Sequence, residues 1–161
     1  MGEFSITCRG KTLCESKYNI NIEQKIFYTK ESNLVLDFYD LHGWTFHTGG
    51  YCTFSTGTNC TFITKWYCTF STGTNCDFTT QWYCTFSTGS FCNFKTDYHC
   101  TFNTGSGCTF NTGDSCTLLL YNVNGCTFKS YGNGCIILDR HDSKHYVLTK
   151  ELIKMLKISN G

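Results

Sequence analysis

The sequence predicts an all-β protein, a two-sided β-solenoid with two eight-residue strand–turn units, sixteen residues, in each coil. Three observations predict it. Phe and Cys recur every eight residues, a Trp-Tyr-Cys-Thr-Phe-Ser-Thr-Gly block recurs after sixteen, and charge collects at the two ends of the chain. Regular coils are expected over residues 36–115 and looser ones over 116–139. An N-terminal cap is expected over 1–35, and a C-terminal cap over 140–161 with a short helix over 150–157.

The octad comes first. Phe holds one phase at Phe38, Phe46, Phe54, Phe62, Phe70, Phe78, Phe86, Phe94, Phe102 and Phe110, and Leu118 takes the next position. Cys keeps the same period at Cys52, Cys60, Cys68, Cys76, Cys84, Cys92, Cys100, Cys108 and Cys116, with Trp44 and Leu36 in the two preceding slots. Thr recurs from Thr48 to Thr112, with Asp40 before it. On a helix an eight-residue period would advance about 80° per unit and spiral the Phe around the axis. Cys-Thr-Phe-Ser-Thr instead alternates with period two and is rich in β-branched and aromatic residues, so it reads as a strand; the Gly and Asn that follow read as a corner.

The sixteen-residue period sets the coil. Trp66-Tyr67-Cys68 returns as Trp82-Tyr83-Cys84 and then as Tyr98-His99-Cys100. One corner of each coil thus carries Thr-Gly-x-x and the other carries bulky residues. A single octad per coil would leave no room for a filled core. A three-sided coil of twenty-four residues would scramble the columns and ranks second. In the two-sided coil Cys, Phe and the second Thr point inward, about 10 Å separates the facing strands, and equivalent residues stack about 4.8 Å apart. The Phe and Cys series then become core ladders. After Cys116 the spacing widens to Cys126 and Cys135, with strands at Leu118-Leu119-Leu120 and Ile136-Ile137-Leu138 and a wide corner over 122–125.

Residues 44–116 hold five charged side chains, against eleven in 1–43 and nine in 117–161. Charged, irregular ends block edge-to-edge stacking of a solenoid on its neighbours. Short strands are expected in the N-terminal cap at 4–8, 19–22 and 25–29. Tyr146-Val147-Leu148 is expected as a last strand, followed by a helix with Leu148, Leu152, Met155 and Leu156 on one face.

The thirteen Cys are an odd number, no export signal precedes them, and each ladder Cys sits in an equivalent slot beside Phe. They read as reduced, buried, structural thiols, with disulfides along the ladder as the alternative. A seven-residue gap lacks the close Cys pairs of a zinc site, so no metal is expected. Cys8 and Cys14 lie in the cap and have the option of pairing with each other.

Three surface features are candidate sites. Thr53/Ser55, Thr69/Ser71, Thr85/Ser87, Thr101/Asn103 and Thr117/Leu119 form a flat hydroxyl array of the kind that binds ice on β-solenoids, although Thr and Ser also simply suit solvated strands. Trp66, Trp82 and Tyr98, beside Tyr67 and Tyr83, form a corner column that would suit a glycan or a protein partner, or stabilise the corner by stacking. Asp139-Arg140-His141-Asp142 reads as a solvated turn; His42, His47, His99, His141 and His145 do not cluster. No phosphate loop, nucleophile elbow or zinc-hydrolase signature appears.

The Cys-Thr-Phe-Ser/Asn-Thr-Gly octads resemble a family of octapeptide-repeat β-solenoid proteins of large DNA viruses, phages and bacteria. The resemblance covers residues 36–138, including the lead-in Leu36-Asp37-Phe38-Tyr39 and the exit Gly134-Cys135-Ile136-Ile137-Leu138-Asp139-Arg140. Leu118-Leu119-Leu120 departs from the motif. The resemblance implies a solenoid fold and a viral or intracellular setting, and brings no catalytic residues. A net charge of +1 argues against nucleic acid, and no apolar run reaches membrane-span length. The expectation is therefore a non-enzymatic structural or interaction element without cofactor. It would be a monomer or an end-capped homo-oligomer, located in the cytoplasm or in the virion and host cytoplasm. Glycan or protein binding at the Trp/Tyr corner and ice binding are the alternatives.

Overall fold

Every octad of the middle segment makes one short strand, because alternating Thr, Phe and Ser fit a pleat with one face buried. The computed structural model describes residues 4–39, 41–147, 149 and 151. The strands are β1 (Ser5–Cys8), β2 (Lys11–Thr12), β3 (Asn19–Asn21), β4 (Ile26–Tyr28), β5 (Leu34–Phe38), β6 (Thr45–His47), β7 (Thr53–Thr56), β8 (Thr61–Ile63) and β9 (Thr69–Ser71). They continue as β10 (Asp77–Thr79), β11 (Thr85–Ser87), β12 (Asn93–Lys95), β13 (Thr101–Thr104), β14 (Thr109–Asn111), β15 (Thr117–Leu120), β16 (Thr127–Ser130), β17 (Ile136–Asp139) and β18 (Lys144–Val147).

From β4 to β17 the odd and even strands separate into two facing sheets. One runs β18-β17-β15-β13-β11-β9-β7-β5-β1-β2, the other β16-β14-β12-β10-β8-β6-β4-β3. From β4 to β17 all pairing is parallel, and the result is a β-solenoid of about seven turns. In the regular part the register is sixteen: Phe54 pairs with Phe70, Phe70 with Phe86, Phe62 with Phe78 and Phe78 with Phe94.

The core is a zip of rings. Within a sheet, rings one coil apart stack almost flat, as in Phe62–Phe78 at 4.9 Å and 5°. Across the sheets they meet edge to face, as in Phe70–Phe78 at 5.2 Å and 72°. Both geometries are the favoured ones for aromatic pairs, so each interior Phe is held on four sides. The ladder Cys and the Phe are buried. The second Thr also turns inward, fully at Thr56, Thr64, Thr80, Thr96, Thr104 and Thr112 and partly at Thr72 and Thr88.

The ends depart from the octad in ways the periodicity misassigns. Leu36 pairs with Phe54 and Phe38 with Thr56, so Leu36 stands in the Phe column and Phe38 in the inward Thr position. The expected placement of Phe38 in the Phe ladder and Leu36 in the Cys ladder is corrected by two residues. The cause is a longer corner after Tyr39, closed by the Leu41 N–H donating to the Phe38 carbonyl at 2.9 Å. Trp44 does stand in line with Cys60, since Thr45 pairs with Thr61; Asp40 lies outside the described residues. Phe38 fills the wide first coil, stacking on Phe4 at 4.9 Å and meeting Phe46 edge-on at 5.0 Å. The parallel stack also reaches back to β4, where Phe27 pairs with Phe46 inside the segment assigned to the cap.

At the other end Thr117 pairs with Ile136, and Thr109 with Thr127, which fixes the register after Cys116. A 3₁₀ turn at Val123–Gly125 absorbs the extra residues and buries Val123. Antiparallel strands finish the first sheet at both ends, β1 on β5 and β18 on β17; β3 finishes the second at one end. The expected strands at 4–8, 19–22, 25–29 and 146–148 appear as β1, β3, β4 and β18, with Leu148 outside the described residues. The helix expected over 150–157, and its face of Leu148, Leu152, Met155 and Leu156, rest on residues outside those described.

Candidate functional site

The surface features follow from how the coil turns. The last residue of nearly every octad takes a left-handed backbone. On one edge these are Asn59, Asn75 and Phe91 with Gly107, at φ 57–70°; on the other they are Tyr51, Tyr67, Tyr83, His99 and Ser115, at φ 54–56°. Asn and Gly enter that region easily; Tyr does so at a cost. Its N–H still joins the ladder, as Tyr67 donates to the Trp82 carbonyl at 3.1 Å.

The expected corner column is real, and it is two stacks. Trp66, Trp82 and Tyr98 stack at 5.2 and 5.6 Å; Tyr51, Tyr67, Tyr83 and His99 stack at 5.0, 4.9 and 4.9 Å. Lys65 Nζ sits 5.6 Å from the Trp66 ring centre. Tyr67 and Tyr83 are 43% exposed and Tyr98 41%. That exposure is of edges and hydroxyls, because each interior ring has neighbours on both faces. A sugar platform needs a free ring face: Trp82, Tyr67 and Tyr83 have a ring on each side, whereas Trp66 and Tyr98 each stack on one ring alone.

The hydroxyl face is in register. Thr53, Thr69, Thr85 and Thr101 pair in line and are exposed, with Ser55, Ser71, Ser87 and Asn103 beside them. On the opposite face Asn93 donates to the Asp77 carboxylate at 2.8 Å, and Tyr28, His47, Ile63 and Lys65 line an open groove of about 400 Å³.

All thirteen cysteines are free thiols. The ladder members form two inward columns, Cys52, Cys68, Cys84, Cys100, Cys116 and Cys135 along the aromatic edge and Cys60, Cys76, Cys92, Cys108 and Cys126 along the glycine edge. Most ladder thiols lie within donating distance of carbonyls of their own corner and of the coil before, as Cys68 does of Trp66 at 3.6 Å and Gly49 at 3.8 Å. Successive thiols of a column also shift each other's ionisation. Cys100 and then Cys68 lower Cys84, while Cys52 and then Cys84 hold Cys68, and Cys116 and then Cys84 hold Cys100, above the ordinary thiol range. Burial pushes Cys126 up to about 12. Among the described residues no three His, Cys, Asp or Glu side chains gather as a metal cluster.

The polar turn at Asp139-Arg140-His141-Asp142 is not wholly solvated as expected. Asp139 is 2% exposed; its carboxylate accepts from the backbone N–H of Val123 at 3.1 Å and of His141 at 2.9 Å. Arg140 donates to the Thr104 carbonyl at 3.0 Å, tying the last turn to an earlier coil. These are structural bonds that no local motif signals. His42 Nδ1 likewise accepts from the Thr58 N–H at 2.8 Å, pinning the glycine-edge corner.

No protein-family model matches the chain, and no curated protein or solved structure matches it. No helix among the described residues is long and apolar enough to cross a membrane.

Proposed function

We propose that the protein is a non-enzymatic repeat element, a stiff rod closed at its ends that serves as a scaffold or spacer in a protein assembly. One observation carries this reading: strand pairing stays in register from β5 to β15 on one sheet, with ring stacks of 4.9–5.2 Å through the core. A close-packed interior of this kind transmits strain and does not bend coil by coil. The aromatic edge then acts as a stiffening rib whose hydroxyl rim faces a protein partner. A reducing compartment fits thirteen free thiols, and the octapeptide-repeat resemblance implies a viral or intracellular one.

Mild extraction from the natural source tests this. The protein should co-purify in a stable assembly of fixed stoichiometry, and deleting residues 68–83 should shorten the rod in small-angle scattering while upsetting that assembly. A protein that purifies alone and consumes a metabolite from extract overturns the reading.

A second reading rests on the four aligned, exposed threonines Thr53, Thr69, Thr85 and Thr101: binding to ice by an ordered hydroxyl array. Thermal hysteresis that vanishes in Thr69→Lys supports it; no hysteresis in the parent chain removes it.

A further inference from the structure

We propose that the thiol columns bind soft monovalent d10 metal ions, copper(I) or silver(I), each ion bridging the sulfurs of two successive coils in linear two-coordination. The columns are continuous where this needs it. Thr53 pairs with Thr69, Thr69 with Thr85, Thr85 with Thr101, Thr101 with Thr117 and Thr117 with Ile136, which sets Cys52, Cys68, Cys84, Cys100, Cys116 and Cys135 one above another in successive coils. In the other column Thr61 pairs with Asp77, Asp77 with Asn93 and Asn93 with Thr109, which sets Cys60, Cys76, Cys92 and Cys108 in line; the run stops before Cys126, which follows the 3₁₀ turn and donates to the Asn122 carbonyl at 3.5 Å.

The spacing selects the ligand. Successive coils lie about 4.8 Å apart. A thiolate–metal bond is about 2.3 Å, as for zinc, so two in line span about 4.6 Å. A linear bridge therefore fits between coils with the backbone in place. Zinc wants four ligands, and no group of three gathers among the described residues. A disulfide needs its sulfurs about 2.05 Å apart and must pull two coils' side chains together. Soft thiolates prefer copper(I)-type ions.

Charge balances as well. The run from Cys52 to Cys135 has six thiols and five gaps; with five monovalent ions it releases six protons and keeps one net negative charge. The run from Cys60 to Cys108 has four thiols and three gaps, takes three ions, releases four protons and also keeps one. Nearly neutral chains avoid the cost of burying separate thiolates.

An independent feature points the same way. The hydroxyls of Thr56, Thr72 and Thr112 have no hydrogen-bond partner, and Thr56 and Thr112 are 4% and 6% exposed. Each lies four residues before a ladder thiol, Cys60, Cys76 and Cys116 in turn, across one corner. A metal-bound sulfur is the acceptor these donors lack. The ladder thiols are shut off from water, so ions enter as coils form or open.

The test uses the full chain, both made in copper-supplemented cells and titrated without oxygen against copper(I) held by a competing chelator. Expected are up to eight ions per chain, unchanged strand circular dichroism, a raised unfolding midpoint and two sulfur neighbours per copper by X-ray absorption. Cys84→Val should remove two ions; Cys14→Ser should remove none. Should Cys84→Val fail to fold, Cys92→Val reads the same loss of two in the other column. No uptake by either route overturns the proposal, as does uptake that melts the strands, is unchanged in both ladder variants, or shows three or four sulfur neighbours.

Discussion

Tyr67 and Tyr83 lie one coil apart with ring centres at 4.9 Å and planes within 2°, and both hold a left-handed backbone. The stack and the strained corner are two halves of one arrangement. The stack repays the cost of putting a bulky residue where Gly or Asn would sit more easily. Replacing Tyr67 by Gly relieves about 1 kcal/mol of backbone strain and removes two ring pairs of about 1 kcal/mol each. A net loss of about 1 kcal/mol is expected by urea unfolding. A gain would show that the tyrosines are kept against stability, as a binding surface is.

Phe78 sits between Phe62 and Phe94 in its own column and against Phe70 and Phe86 across the core. Phe78→Ala should cost about 4 kcal/mol, because rings held on four sides cannot collapse into the hole. Chemical denaturation measures it, and a loss below about 1 kcal/mol would mean the ring columns are not the main source of stability.

Deleting residues 68–83 removes one complete coil and should leave a folded, shorter rod. Deleting only 68–75 keeps the Phe phase but exchanges the two edges for everything downstream. At the glycine edge there is no room for that: a Cβ at Gly73 would lie 2.6 Å from the Thr58 methyl, and one at Gly89 2.6 Å from the Thr74 methyl. Circular dichroism with thermal unfolding should show a much larger drop for the eight-residue deletion than for the sixteen.

Cys126 should make the fold sensitive to alkali. Its thiol is raised in the folded chain from 9.0 to about 12. Below pH 9 both states hold the proton and nothing is lost; between about 9 and 12 the unfolded chain ionises first and stability falls. Cys126→Val should show a shallower fall in unfolding midpoint between pH 8 and 10.5 than the parent. Equal slopes would mean that Cys126 does not titrate differently on folding.

The coils were legible because Phe, Cys and Thr each answer to one inward slot, and a period of eight that doubles to sixteen admits few foldings. Leu36 and Phe38 were misplaced by the same logic: a period cannot announce that a corner has gained two residues, and here the extra length is absorbed beyond Tyr39. The aromatic edge is visible in the sequence as a column with stacking as one of its readings, but not its division into two separate stacks, which depends on the left-handed φ at Tyr51, Tyr67 and Tyr83. The burial of Asp139 and the reach of Arg140 cannot be read locally, because their partners Val123 and Thr104 are distant in sequence.

Interchangeable rungs pose a counting problem that the two irregular ends resolve. Any central strand could dock one rung too high or too low with nearly the same partners, since Phe62, Phe78 and Phe94 offer identical seats. The long corner after Phe38 and the 3₁₀ turn at Val123 have no equivalents elsewhere in the stack, and they act as bookends that recognise only their own shelf. Tandem duplication of the middle can therefore lengthen this molecule without confusing it, while a change at either bookend puts the whole tally at risk.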